Sequence, residues 1–176
     1  MLFPAIRYAD DLVYEFERIW FDEKYKYYFN APFFHTIEII EDSCEEHQFV
    51  SYHYGDVIGY ISYSVDRAAN VAFDMNIINF SDNKAIFSMD VMQAIDDIFC
   101  KYNFDKLEFS VFIGNPAEKI YDKFIKMTGG RIVGTYKKHQ QLMDGKVYDL
   151  KMYELFRKKY IDTFKRGKYN EKEKTD

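Results

Sequence analysis

Residues 71–113 read VAFDMNIINFSDNKAIFSMDVMQAIDDIFCKYNFDKLEFSVFI, and the changes of period inside this stretch decide the fold. Over 71–80, Phe73, Met75 and Ile77 alternate with Asp74, Asn76 and Ile78, the two-residue period of a strand. Ser81-Asp82-Asn83-Lys84 is polar and reads as a loop. Val91, Ile95, Ile98, Phe99 and Tyr102 then recur at i, i+4, i+7, i+8 and i+11, the stripe of an amphipathic helix. Asn103-Phe104-Asp105 closes that helix. Over 106–113 the shorter period returns, with Leu107, Phe109, Val111 and Ile113 on one side. A strand, a helix and a second strand in this order form a crossover, which pairs its two strands in parallel.

Upstream the chain reads as a meander. Residues 47–54 place Val50, Tyr52 and Tyr54 on one strand face, and Gly55-Asp56 makes a tight turn. Residues 57–65 are nearly continuous in apolar and aromatic side chains, as in a central strand buried on both faces. Earlier still, Asp10 or Asp11 caps a helix bearing Leu12, Val13, Phe16, Ile19 and Trp20. Residues 22–30 extend it as a second helix after a kink, and Pro32 ends that helix. Residues 2–8 supply an edge strand.

Downstream, Asn115 is an N-cap, Pro116 occupies the first helical position, and Glu118 completes a capping box. Ala117, Ile120, Tyr121 and Phe124 form the stripe, and Gly129-Gly130 stops the helix. Residues 131–138 and 146–156 are two closing strands around Asp144-Gly145. The expected architecture is α/β over residues 1–156, a mixed sheet covered by helices on both faces. Residues 157–176 form a charged C-terminal helix and tail of net +4, which leaves −9 for the rest.

With 176 residues, 48% hydrophobic and 30% charged, the chain is one ordered domain. A net charge of −5 argues against a nucleic-acid partner. Cys44 and Cys100 form neither a disulfide framework nor a metal spacing, which points to a reduced, cytoplasmic setting. No apolar run approaches the roughly 18 residues of a membrane span, and no signal peptide is evident. The phosphate-loop, dinucleotide and H-E-x-x-H motifs are absent, and the histidines are scattered, so no metal is expected.

The run Gly114-Asn115-Pro116-Ala117-Glu118-Lys119-Ile120-Tyr121-Asp122-Lys123, with Gly129-Gly130-Arg131-Ile132-Val133-Gly134, resembles a helix and strand of the GNAT acetyltransferase superfamily. Asp144-Gly145-Lys146-Val147-Tyr148-Asp149 with Tyr153-Glu154 is similar to the closing strands of its ribosomal-protein and aminoglycoside-type branch. Phe3-Pro4-Ala5-Ile6-Arg7-Tyr8-Ala9-Asp10-Asp11 resembles its opening strand and helix cap. The likeness in element order spans residues 1–156 and is residue-specific over 105–156.

The resemblance implies a mostly antiparallel sheet of six to seven strands with one central parallel pair. It implies transfer of an acetyl group from acetyl-coenzyme A, as co-substrate, to a primary amine on a small molecule or peptide. The coenzyme would lie in a V-shaped opening between strands 71–80 and 106–113. Backbone groups of the first strand would hold its arm and polarise the thioester carbonyl. The following helix start, Asn83, Lys84, Ala85, Ile86, Phe87 and Ser88, would meet the pyrophosphate through free N–H groups and the helix dipole.

Tyr121 is then the candidate acid for the departing thiolate, Asn115 a coenzyme contact, and Asp74 the base or amine-binding group. Each has a plainer reading: a core tyrosine, a helix cap, and a solvent-facing carboxylate or partner of Arg7 or Arg67. Two departures stand out. The family's [RQ]-x-x-G-x-[GA] loop is replaced by the glycine-free Ser81–Ser88, with Ser88 as a candidate cap. Gly129 also lies eight residues after Tyr121, where the family has about four, which leaves the acid open by one turn, about 5.4 Å. The alternative is a non-catalytic binding module presenting Tyr25, Tyr27, Tyr28 and Phe29. A homodimer is compatible with either.

Overall fold

The computed structural model describes residues 1–28, 38–41 and 43–165. The expectations for Phe29, for the helix stop at Pro32 and for the tail after residue 165 lie outside the described residues. The elements are β1 (Leu2–Pro4), α1 (Ala9–Ile19), β2 (Glu46–His53), β3 (Asp56–Asp66), β4 (Val71–Asn79), α2 (Lys84–Asp96), β5 (Lys106–Phe112), α3 (Glu118–Thr128), β6 (Arg131–Gln141), β7 (Val147–Phe156) and α4 (Arg157–Lys159). They build one seven-stranded sheet in the order β1-β2-β3-β4-β5-β7-β6. Only β4 and β5 run parallel, as the crossover reading requires.

Successive β3 residues feed opposite cores, because strand side chains alternate faces. Tyr60 joins Leu12, Phe16 and Ile19 of α1 with Val50 and Ile78. Phe16 meets Tyr60 and Phe80 edge-on, each at 5.4 Å between ring centroids. Ile61 joins the other core, where Ile95, Ile98 and Phe99 pack with Leu107, Phe109 and Ile125. Tyr160, just past α4, is fully buried in this second core, 5.0 Å from the Phe99 ring. Arg157 Nε donates to the Phe99 carbonyl at 2.7 Å.

Several local expectations shift. Asp10 and Asp11 lie in the first turn of α1 rather than capping it, where they still oppose the positive dipole end. Residues 22–28 form no second helix: a single tight turn, Glu23–Tyr25, is capped by Asp22. Tyr25 is buried there and donates its hydroxyl to the Asn79 carbonyl at 3.1 Å. It is thus a core anchor and not a surface aromatic. The β2–β3 turn is Tyr54-Gly55, both at positive φ (57° and 97°), the two-residue I′ geometry that matches strand twist. On α3, Ile120 is 66% exposed; the inward face is Tyr121, Phe124, Ile125 and Thr128.

Candidate active site

β4 and β5 pair at only two positions, Val71–Lys106 and Ala72–Leu107. Beyond them each strand is held from outside. β4 stays on β3 as far as Gly59–Asn79, and β5 pairs with β7 along its whole length. The edges that face one another therefore part, and a cavity of about 200 Å³ fills the gap. Its walls include Met75, Asn76 and Ile77 of β4 and Ser110, Val111 and Phe112 of β5.

Asp74 reaches this cavity through a bulge. Ser62 pairs with Asn76 and Ser64 with Phe73, so Asp74 and Met75 share one position opposite Tyr63. Asp74 takes φ 52°, a left-handed conformation that Asp tolerates better than a branched residue. The even alternation expected for this strand breaks here: Phe73 and Asp74 are both exposed, and Met75 is buried.

Tyr121 and Asn115 also line the cavity. Asn115 is not the helix cap, which is Ala117 with no side-chain cap bond; its Oδ1 accepts the Ala117 N–H at 2.9 Å and its carbonyl the Glu118 N–H at 2.9 Å, in a turn that leads into the helix. The helix proper starts at Glu118, whose carboxylate reaches back to the Gly114 N–H at 3.0 Å. Lys151 of β7 binds both Glu118 and Asp122, the latter at 3.1 Å, and Tyr153 donates its hydroxyl to Asp122 at 2.7 Å. This bracing turns Tyr121 inward, edge-on to Phe109 at 5.6 Å and to Tyr153 at 6.4 Å. Burial, helped by the neighbouring Tyr28, raises the Tyr121 phenol far above its ordinary pKa. It is a neutral donor across the working pH range.

Asn83, Lys84, Ala85, Ile86, Phe87 and Ser88 stand apart from the cavity, at the start of α2. Asn83 is the cap, accepting the Ile86 N–H at 3.4 Å. Ser88 is not a cap: its hydroxyl bonds back to the Lys84 carbonyl at 2.7 Å. The Phe87 ring is buried over Gly59, where a Cβ would come within 2.2 Å of it. The preceding loop is closed by its own side chains. Asn79 Oδ1 accepts Ser81 N–H at 3.0 Å and Ser81 Oγ accepts Asn83 N–H at 3.1 Å. The N–H groups of Lys84 and Phe87 are likewise taken, by the Asp82 and Asn83 carbonyls.

Of the opposite wall, sequence reasoning gave His139 and Leu150 no role, while Tyr27 and Tyr28 stood among the aromatics of its binding-module alternative. Tyr27, Tyr28, His139, Gln140 and Leu150 complete the cavity. Lys26 binds Asp144 at 2.9 Å, and Tyr148 donates to the same carboxylate oxygen at 2.6 Å. Tyr27 rests edge-on against Tyr148 at 5.5 Å. The early loop is thus clamped to the β6–β7 hairpin, which sets Tyr27 and Tyr28 against the gap. The charge complementarity of Lys26 and Asp144 was readable, but their pairing across the chain was not. Among the described residues no group of three or more His, Cys, Asp or Glu side chains is placed to hold a metal ion, and no helix is long and apolar enough to cross a membrane.

No protein-family model matches the sequence, and no curated protein matches it either. Solved structures do resemble the fold. A chimera of the spermidine N-acetyltransferase SpeG from Vibrio cholerae and hSSAT superposes with a TM-score of 0.59 at 21% identity, covering 68% of this chain and 74% of that one. SpeG from Vibrio cholerae in complex with manganese ions gives 0.58 at 21% identity, over 68% and 69%. A chain provisionally described as an acetyltransferase gives 0.65 at 15% identity, over 90% and 87%. A seven-stranded mixed sheet with one parting parallel pair, shared with these structures, is the GNAT acetyltransferase fold.

Proposed function

We propose that this protein is an N-acetyltransferase that moves an acetyl group from acetyl-coenzyme A to a primary amine. The observation that carries the reading is the gap between β4 and β5, with the neutral Tyr121 facing it.

The chain's fit to the coenzyme is uneven. The parted strand edges suit a slender pantetheine arm, which can take up their backbone groups, and β4 N–H groups beside the bulge suit a developing oxyanion. The start of α2 offers Lys84 and the positive dipole end to the pyrophosphate, but the Ser81, Asn83 and Lys84 N–H groups beside it are spent within the loop. Binding then rests mainly on the arm.

Among the described residues the cavity lining contains Asp74 and no Lys or Arg, and it is bordered by Tyr27 and Tyr28. A carboxylate with aromatic faces suits a cation, so the acceptor is an ammonium-bearing molecule, with Asp74 as its counter-charge. Spermidine, the substrate in the name of one structural neighbour, is a fitting probe. Once deprotonated, the amine nitrogen attacks the thioester carbon, the C–N bond forms, and the C–S bond breaks. The Tyr121 hydroxyl protonates the leaving thiolate, and the acetylated nitrogen gives up its second proton to restore the Tyr121 phenol.

Calorimetry with acetyl-coenzyme A, followed by a free-thiol assay with spermidine, tests this. Saturable heat and amine-dependent thiol release are expected. No binding at millimolar coenzyme would end the reading and favour the binding-module alternative, which the self-bonded loop before α2 supports.

A further inference from the structure

The amine in such a reaction arrives as an ammonium and must lose a proton before it can attack. The carboxylate of the cavity lining, Asp74, suits that task less well than an imidazole would. An ordinary carboxylic acid has a pKa near 4 and an alkylammonium one near 10, whereas imidazole, near 6.5, is closer to a working pH near neutrality. Among the described residues, the imidazole that lines the cavity is His139 of β6.

His139 gets there by a deliberate irregularity. Tyr136 pairs with Leu150 and Gln140 with Tyr148, so residues 137–139 all stand opposite the single residue Asp149. Lys138 takes φ 50° within this bulge. Bulges of this kind re-aim side chains and collect beside active sites. Asp149 holds it: Oδ1 accepts the Lys138 N–H at 2.8 Å and Oδ2 the Lys137 ammonium at 2.8 Å. The Asp149 carbonyl accepts the Ile113 N–H at 2.9 Å, so the same residue ties down the end of β5. The imidazole stacks on Tyr136, with ring centroids 5.6 Å apart and planes 22° from parallel, and lies 6.4 Å from the Phe112 ring.

We propose that His139 is the base that takes the proton from the acceptor ammonium, and that Asp149 is its positioning residue. This rests on the acetyltransferase reading. The imidazole nitrogen accepts the N–H proton and leaves the amine lone pair free. The imidazolium later releases that proton to solvent. The titratable groups that line the cavity with it are Asp74 of β4, Tyr121 of α3 and Tyr27 and Tyr28 of the early loop; Tyr136 stacks on it, and Lys137, Lys138 and Asp149 belong to its own bulge.

Two measurements test it. The first is the pH profile of kcat/KM with acetyl-coenzyme A and spermidine. The wild type should show an acidic limb that His139→Gln loses, with activity falling at least 100-fold near neutrality. Added imidazole should restore part of the activity to His139→Ala. The second follows the His139 Cε1–H resonance, identified by its absence in His139→Gln. Spermidine should shift that resonance and its titration midpoint, and Asp149→Ala should abolish the response. An intact acidic limb in His139→Gln overturns the proposal while leaving the acetyltransferase intact. A His139 resonance indifferent to 10 mM spermidine overturns it whatever the turnover.

Discussion

The Asp149 carboxylate accepts the Lys138 backbone N–H at 2.8 Å, at the point where three β6 residues face one residue of β7. That bond sets the aim of His139. Asp149→Ala removes it and leaves the Asp149 backbone link to Ile113 in place. Turnover is expected to drop toward that of His139→Gln, and unfolding free energy to change little, since the Asp149 carboxylate is open to solvent. Asp149→Asn keeps an acceptor at Oδ1 and is expected to stay near wild type. Steady-state kinetics beside urea unfolding separate the two effects.

Tyr121→Phe deletes one hydroxyl and keeps the ring packed on Phe109 and Tyr153. The acid role predicts a kcat loss of about 10²–10⁴-fold with Tm nearly unmoved. Unchanged kcat would remove Tyr121 from the chemistry. Ile125, one turn on, is 4% exposed and apolar, so it offers no substitute acid.

Acid stability follows from the bracing of α3. The Gly114 N–H and Lys151 hold the Glu118 carboxyl below its ordinary value, and Tyr153 and Lys151 do the same for Asp122. A carboxylate with a lowered folded-state pKa contributes stability above its unfolded pKa and loses it as pH falls through the folded value. Unfolding free energy should therefore decline from the ordinary carboxylate range, 4.5 and 3.8 for these two groups, downward. Lys151→Met leaves two carboxylates facing each other and should flatten that decline while lowering stability at pH 7. Urea melts across pH 3–8 measure both; a wild-type slope in the variant would contradict the assignment.

Gly59 lies under the Phe87 ring, and an added Cβ would stand 2.2 Å from that ring and 2.8 Å from the Ile78 carbonyl oxygen. The ring can move; the β4 backbone cannot without disturbing the wall of the gap. Gly59→Ala is expected to cost about 1–3 kcal/mol and to weaken coenzyme binding. Thermal melts with and without acetyl-coenzyme A report the two losses.

The closed loop over residues 79–83 makes a prediction about the donor. Its Ser81 and Asn83 N–H groups already have acceptors in Asn79 and Ser81. Acetyl-pantetheine, which lacks the nucleotide and pyrophosphate, should serve with kcat/KM reduced less than about tenfold, roughly 1.4 kcal/mol of binding. A loss of several hundredfold would show that the start of α2 grips phosphate after all.

What could be read beforehand followed from local rules. The crossover was legible because Leu107, Phe109 and Val111 keep a strict strand period and all three are buried. The end of α3 was legible from Gly129, which takes φ 76° as the helix stop, whereas its start lies two residues past the position that Asn115 as cap implied. The two bulges were not legible. Asp74 and Lys138 adopt positive φ without being glycine, and each breaks a side-chain period that the residue types alone present as regular. Nor was the clamp: Tyr27 and Tyr28 owe their place to an ion pair between Lys26 and Asp144, which only the closed sheet brings within reach.

β4 is sewn to β3 and β5 to β7, so the lips of the opening belong to separate halves of the sheet, joined by a two-pair isthmus at Val71–Lys106 and Ala72–Leu107. Beneath them Ile61, Met75, Phe109 and Tyr153 share one core, so the frame of the aperture rests on the same packing that keeps the chain folded.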